Sequence, residues 1–207
     1  MTLKLYFGPQ SCALASHIAL EEAGADYEAI AVNLAKGEQK TADYLKLNPK
    51  GRVPALVTER GVLTETPAIL AFIAQSHPAA RLAPLDDPFA FAELQAFTSY
   101  ICSTVHPAYA HWRRGERWVD EASSIEDMKR RAPRNLAEQF ALIETTMLRG
   151  PWVLGEAYSI ADPYLFTLAS WIEPLGVSLA QYPKVADLVA RMRARPATRK
   201  VLPLHGM

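Results

Sequence analysis

The 207-residue chain is half hydrophobic and carries 22 basic against 22 acidic residues, so its formal net charge is zero. That balance excludes the strong positive field by which basic proteins gather nucleic acid or lie on anionic membranes, and leaves a small molecule as the expected partner. Two cysteines, Cys12 and Cys102, are too few and too far apart for a disulfide framework or a zinc site of paired cysteines.

The first apolar run, Leu3 to Phe7, is short and stops at Gly8-Pro9, so it reads as a strand rather than as a signal-peptide core or a membrane span. No later run approaches spanning length, and the expected location is the cytoplasm. A turn over Gly8 to Ser11 leads into a helix over about 13–23, with an apolar stripe of Ala15, Ile18, Ala19 and Leu20 and a stop at Gly24. Tyr27 to Val32 gives a second strand, Thr41 to Leu47 a short helix and Asn48-Pro49-Lys50-Gly51 a turn. Val53 to Val57 and Val62 to Leu63 are two more strands about a turn at Arg60-Gly61. A helix opening at Pro67 then carries Ile69, Leu70, Phe72 and Ile73. This β-α-β-α-β-β-α order is that of a thioredoxin-like domain, expected over 1–77.

Pro78, Pro84 and Pro88 break any continuing helix and mark 78–88 as a linker. In 89–207 strands give way to helical spacing: Leu94, Phe97, Ile101 and Val105 recur at steps of three and four, as do Leu136, Phe140, Ile143 and Met147. The fold class is therefore α/β plus all-α, a thioredoxin-like domain followed by a helical bundle. Ser159-Ile160-Ala161-Asp162 fits a capping box, with the Ser159 hydroxyl accepting from the Asp162 backbone N–H and the Asp162 carboxylate reaching back. It opens a helix holding Tyr164, Leu165, Leu168 and Trp171, and Asp162 reads as structural. Arg191, Arg193, Arg195, Arg199 and Lys200 suit a helix end and read as surface.

Cys12 stands where a strand and turn deliver the chain to the start of the first helix, where unpaired N–H groups and the positive dipole end favour a thiolate. The competing reading is a buried cysteine used as a small hydrophobe. The sequence continues Ala13-Leu14-Ala15, so no second cysteine is at hand for a self-contained disulfide exchange, and any redox chemistry needs an external thiol. Val53-Pro54 puts a proline at the start of a strand. If that bond is cis, the Val53 main chain can pair with an extended peptide; otherwise it is an ordinary edge-strand proline. Thr66 can cap the helix that opens at Pro67, whose N–H groups suit a carboxylate, and Glu65 can accept from an α-amino group. Ser99, Ser103 and His106 make a polar stripe on a helix otherwise apolar, either a cleft wall or a solvated face. Tyr109, Trp112 and Trp118, with Arg113 and Arg114, follow as an aromatic wall or as core. The histidines His17, His77, His111 and His205 have no metal-ligand spacing, so no metal site is expected.

The stretches Lys4 to Phe7, Cys12 to His17, Asn48 to Leu56, Thr64-Glu65-Thr66, Tyr100-Ile101 with His106, and Ser159 to Asp162 together resemble the bacterial beta-class glutathione transferases, in order and across nearly the whole chain. The resemblance implies a glutathione S-transferase that conjugates the glutathione thiolate to a small apolar electrophile, as in detoxification. It places Cys12 at the glutathione sulfur, Val53 against the cysteinyl backbone beside a cis Pro54, and Glu65 and Thr66 at the γ-glutamyl end. Arg52 and Ser99 join these as glutathione-binding candidates. His106 would reach the sulfur from the second domain, and Cys12 and His106 are the catalytic candidates. Glutathione is then the co-substrate, and a homodimer is implied. Phe7, Ala13, Ser99 and Pro107 depart from the family's commoner Tyr, Ser, Asn and Lys, and Pro107 implies a kink or altered helix end after His106. Two alternatives remain open at this point: glutathione-dependent thiol-disulfide exchange or peroxide reduction through Cys12, and a transferase-like binding module without catalysis.

Overall fold

The computed structural model describes residues 2–207. It divides into two compact units: one reaches to Ala92 and takes in Met192–Met207, and the other is Glu93–Arg191.

In the first unit, strand β1 (Leu3–Phe7) lies between β2 (Tyr27–Ala31) and β3 (Ala55–Thr58), with β4 (Gly61–Thr64) at the edge, giving the order β2-β1-β3-β4. β1 and β2 pair in parallel from Leu3 with Tyr27 to Phe7 with Ala31, whereas β3 and β4 pair antiparallel from Ala55 with Thr64 to Thr58 with Gly61. A parallel pair needs a crossover, which helix α1 (Ala13–Glu22) supplies. The expected stripe on α1 becomes all-round burial: every residue from Ala13 to Leu20 is buried, Ser16 and His17 included. A helix on the sheet normally wets its outer face, but this one also packs on α3 (Thr66–Ser76) and on α9 (Pro196–Val201), which returns from the far end of the chain.

Arg193, Arg199 and Lys200 are exposed, as expected of a surface cluster, and the return corrects that reading for Arg195 alone, which is half-buried. Arg195 holds Glu22 with two hydrogen bonds of 2.5 and 2.7 Å, and Lys200 holds Glu21 at 2.9 Å. The two cations fasten the last segment to the end of α1, where carboxylates of the helix would otherwise stand beside its negative dipole end. The short helix α2 (Ala42–Leu47) is capped by Thr41, whose hydroxyl accepts from the Tyr44 N–H at 3.3 Å. The expected Thr66 cap is not formed. Glu65 occupies the position before α3, without a side-chain cap bond, and its carbonyl accepts from the Ile69 N–H at 3.0 Å.

Helix α4 (Pro88–Tyr100), which enters the second unit at Glu93, runs through a wide π turn at Ile101–Val105 into α5 (His106–Arg114). Here lies the altered helix geometry expected at Pro107. Proline has no N–H to give the carbonyl four residues back, and the wider turn lets the His106 N–H bond to the Ile101 carbonyl instead. Helix α5 packs on α6 (Ala122–Leu142), and α7 (Ala161–Ala169) is buried along its whole length. The apolar positions read from helical spacing are buried, with Met147 half-buried. At the head of α7, the Asp162 carboxylate accepts from the Ser159 N–H at 2.7 Å and from the Val153 N–H at 2.8 Å. The reach-back half of the expected capping box is therefore present. The hydroxyl half differs: Ser159 Oγ accepts from the Ala161 N–H at 3.3 Å, and the Asp162 N–H goes to the Ser159 carbonyl. Helix α8 (Pro183–Ala194) precedes α9.

Candidate active site

The first unit concentrates chemistry at the ends of β1, β3 and β4. After Phe7 the chain turns at Gly8, where an added Cβ would come within 2.5 Å of the Leu34 side chain and force it to move. Ser11 fixes the turn: its hydroxyl donates to the Gly8 carbonyl at 2.7 Å and accepts from the Ala13 N–H at 3.3 Å. Cys12 follows, half-buried, at the residue preceding α1. Its thiol lies 3.6 Å from the Val53 carbonyl, which accepts from it. That contact favours the protonated thiol, while the positive dipole end of α1 favours the thiolate; the first-turn N–H groups of Ala13, Leu14 and Ala15 are bonded to oxygens of Ser11 and Cys12.

The loop that carries Val53 is fixed through one atom. The Arg52 carbonyl accepts from the Tyr44 hydroxyl at 2.7 Å and from the Asn48 side-chain amide at 2.7 Å. Asn48 is buried and its own side-chain oxygen accepts from the Lys50 N–H at 3.2 Å. Burial pushes the Tyr44 phenol up to about 12, which keeps it a donor. The Arg52 side chain is exposed, so its ordered contribution is its carbonyl. The bond between Val53 and the buried Pro54 is cis.

Glu65 follows β4 with φ 72° and ψ 123°, a region that residues other than glycine seldom enter and that recurs at functional sites. Its exposed carboxylate is met by Lys50, whose ammonium lies 2.5 Å from Glu65 Oε1 and 2.9 Å from the Thr64 hydroxyl. Thr66, buried, begins α3.

The second unit holds the other two candidates. Ser99, exposed on α4, accepts through its carbonyl from the Ser103 hydroxyl at 2.8 Å, which ties part of the expected polar stripe to the helix backbone. His106, half-buried, lies against Trp171 with ring centroids 5.4 Å apart. Trp171 also contacts Tyr109 at 4.8 Å, and Tyr109 contacts Trp112 at 5.9 Å. Burial raises the Tyr109 pKa and leaves its hydroxyl a donor. Trp118 stands apart from this group, nearly half exposed and edge-on to His111.

The glutathione S-transferase N-terminal domain matches residues 1–75, and the glutathione S-transferase C-terminal domain matches residues 97–196. The chain belongs to the glutathione transferase family. Glutathione S-transferase GstA of Escherichia coli O157:H7 is 30% identical across 99% of this chain and 100% of its own length. A glutathione transferase homologue from Sulfitobacter, solved with bound glutathione, is 43% identical over 100% of this chain and 99% of its own, with a TM-score of 0.96. The beta-class transferase of Sphingomonas chungbukensis is 32% identical over 98% of both chains, with a TM-score of 0.86. Transferases of this family thus share both halves of the chain and its fold.

Among the described residues, the structure brings Cys12 to Val53 and sets Glu65 and Thr66 at the head of α3. No three His, Cys, Asp or Glu side chains among the described residues are grouped as metal ligands. Four residues of these sites escape sequence reasoning. Tyr44 and Asn48 hold the Arg52 carbonyl, Lys50 meets Glu65, and Trp171 backs His106. The Asn48-Pro49-Lys50-Gly51 stretch shows only as a turn in sequence, because a buried amide that serves a carbonyl is spelled the same way as an exposed turn residue. Trp171 shows only as a core position of its own helix.

Proposed function

We propose that the protein is a glutathione transferase that binds the peptide on its first unit and joins its sulfur to a small apolar electrophile. The observation that carries this is the meeting of the Cys12 thiol with the Val53 carbonyl at 3.6 Å, beside the cis Val53-Pro54 bond. Three groups fit the three parts of one tripeptide. Val53 offers main-chain partners to the cysteinyl residue, Cys12 stands at the sulfur, and Glu65 with Thr66 takes the γ-glutamyl end. Arg52 supplies the fixed carbonyl that keeps Val53 in place.

In the proposed reaction the glutathione thiol loses its proton to water, the thiolate attacks the electrophilic carbon, a C–S bond forms, and the leaving group departs with its electron pair. A free thiol titrates near ~8.5, so the site must favour the anion. The positive dipole end of α1 does this in the first unit. When the peptide's amide N–H bonds to the Val53 carbonyl, it competes with the Cys12 thiol for that oxygen, and Cys12 becomes available to the incoming sulfur. His106 and Ser99, in the second unit, enter the reaction on the strength of the family resemblance. The aromatic group of Trp171, Tyr109 and Trp112 supports an apolar electrophile.

A homodimer is part of the proposal, and Phe89, 74% exposed at the start of α4, is an apolar side chain that a second copy would cover. Among the described residues no helix is long and apolar enough to cross a membrane. A reducing compartment, the cytoplasm, suits a chain with two cysteines kept apart in its sequence.

The test is Cys12→Ala and His106→Ala, each assayed for glutathione affinity by calorimetry and for turnover on a chloronitroaromatic. Turnover is expected to fall at least tenfold in one of them while the fold is retained. If both variants keep wild-type affinity and turnover, the assignment is wrong. Incubation with oxidised glutathione and mass spectrometry separates conjugation from exchange, since only exchange yields a Cys12 adduct that turns over.

A further inference from the structure

The Lys50 ammonium sits on Glu65 Oε1 at 2.5 Å and on the Thr64 hydroxyl at 2.9 Å. A primary ammonium has three donors and no acceptor, and this pair of oxygens gives it a carboxylate and a hydroxyl. The α-ammonium of a γ-glutamyl group is the same chemical object. Both ends of the contact are fixed by the backbone. Lys50 rises from a turn held by buried Asn48, through the Lys50 N–H to the Asn48 side chain at 3.2 Å and the Gly51 N–H to the Asn48 carbonyl at 2.9 Å. Glu65 is held at a positive φ at the residue preceding α3.

We propose that Lys50 is a resident ammonium that competes with the α-ammonium of glutathione for Glu65, and so sets how strongly the site insists on that group. The inference rests on the reading that Glu65 receives the γ-glutamyl end. Binding is then an exchange of one ammonium for another: the ligand's takes the carboxylate and the lysine's returns to water. The half-exposed lysine, with 50% of its side-chain surface accessible, makes that return cheap. A ligand without the α-amino group leaves Lys50 in place on Glu65, so the carboxylate is never stranded. Lys50 therefore lowers the affinity for glutathione and softens the discrimination against analogues that lack the amino group.

The experiment measures dissociation constants by calorimetry for glutathione and for γ-glutaryl-cysteinylglycine, which is glutathione with its α-amino group replaced by hydrogen. The proteins are wild type, Lys50→Met and Glu65→Gln. In Lys50→Met the glutathione constant is expected to fall about two- to fivefold, the range of an exposed ion pair, and the analogue constant to stay level or rise. The ratio of the two constants therefore widens, and the widening shrinks as salt is raised. An unchanged or narrower ratio in Lys50→Met overturns the proposal. Glu65→Gln distinguishes the two levels of failure. If it weakens glutathione while Lys50→Met changes nothing, the role of Lys50 falls and the reading of Glu65 stands. If Glu65→Gln also binds glutathione as wild type does, the reading of Glu65 falls.

Discussion

His17 Nδ1 and His205 Nε2 lie 3.1 Å apart, both side chains fully buried, and one imidazole donates to the other. Phe7 packs against both rings, with centroids at 5.0 and 4.8 Å. The outer nitrogens, His17 Nε2 and His205 Nδ1, have no hydrogen-bond partner. The pair joins α1 to the last turn of the chain while at least one ring is neutral and can accept, and each added proton is a buried charge whose outer N–H has no acceptor.

Acid should loosen that join. Burial is the main cause that lowers His17 from 6.5 to about 4 and His205 to about 3, with Glu21 opposing and Lys200 assisting at His17. Both folded values lie below the unfolded one, so the unfolded chain binds more protons in this window. Stability is full above about 6.5 and is lost as pH falls toward 4. Calorimetric melting between pH 7.5 and 4.5 checks it. His205→Leu is expected to cost about 1–3 kcal/mol at pH 7.5, by stranding His17, and to flatten the acid slope. An unchanged slope in that variant would contradict the assignment.

Asp162→Ala removes a buried carboxylate that satisfies two backbone N–H groups in the segment before α7, those of Val153 and Ser159. The expected loss is about 3 kcal/mol, or roughly 6–12 °C in melting temperature. Because Asp162 lies outside the unit proposed to bind glutathione, the surviving folded protein should keep its glutathione dissociation constant within about twofold. A melting temperature within about 2 °C of wild type would show that the two N–H groups find other acceptors.

The Arg52 carbonyl has two donors, so their loss should not be additive. Tyr44→Phe leaves the Asn48 amide in place and is expected to cost less than about 1 kcal/mol, with glutathione affinity nearly retained. Asn48→Ala removes that amide and also the acceptor for the Lys50 N–H, and is expected to cost about 2 kcal/mol and to weaken glutathione severalfold. The double variant should lose more than the sum, since only then is the carbonyl left without a side-chain donor. Strict additivity would mean that the two bonds act independently.

What could be read from the sequence follows from how far apart the partners stand. The succession of strands and helices along the first unit, the helix at Cys12 and the Asp162 reach-back are local patterns of a few residues. The cis Val53-Pro54 bond was open on the residues alone and was supplied by the resemblance. The His17 to His205 bond, the Arg195 clamp on Glu22 and the Trp171 backing of His106 join distant segments whose local sequences carry no sign of each other. Arg195 reads as a solvated cation until the carboxylate it meets is known. Glu65 reads as an ordinary acidic residue before a helix, since side-chain chemistry does not announce a positive φ. At Thr66 the local rule itself failed, because the backbone at Glu65 took the place a threonine cap would have used.

The clamp between Arg195 and Glu22 joins positions 173 apart, and the histidine pair spans 188. All four strands are complete by Thr64, so a growing chain can lay down its sheet early. The covering that α1 needs is made last, after every residue of the intervening unit has been synthesised. The N-terminal unit therefore spends most of its synthesis with one side of α1 bare, until α9 emerges to cover it.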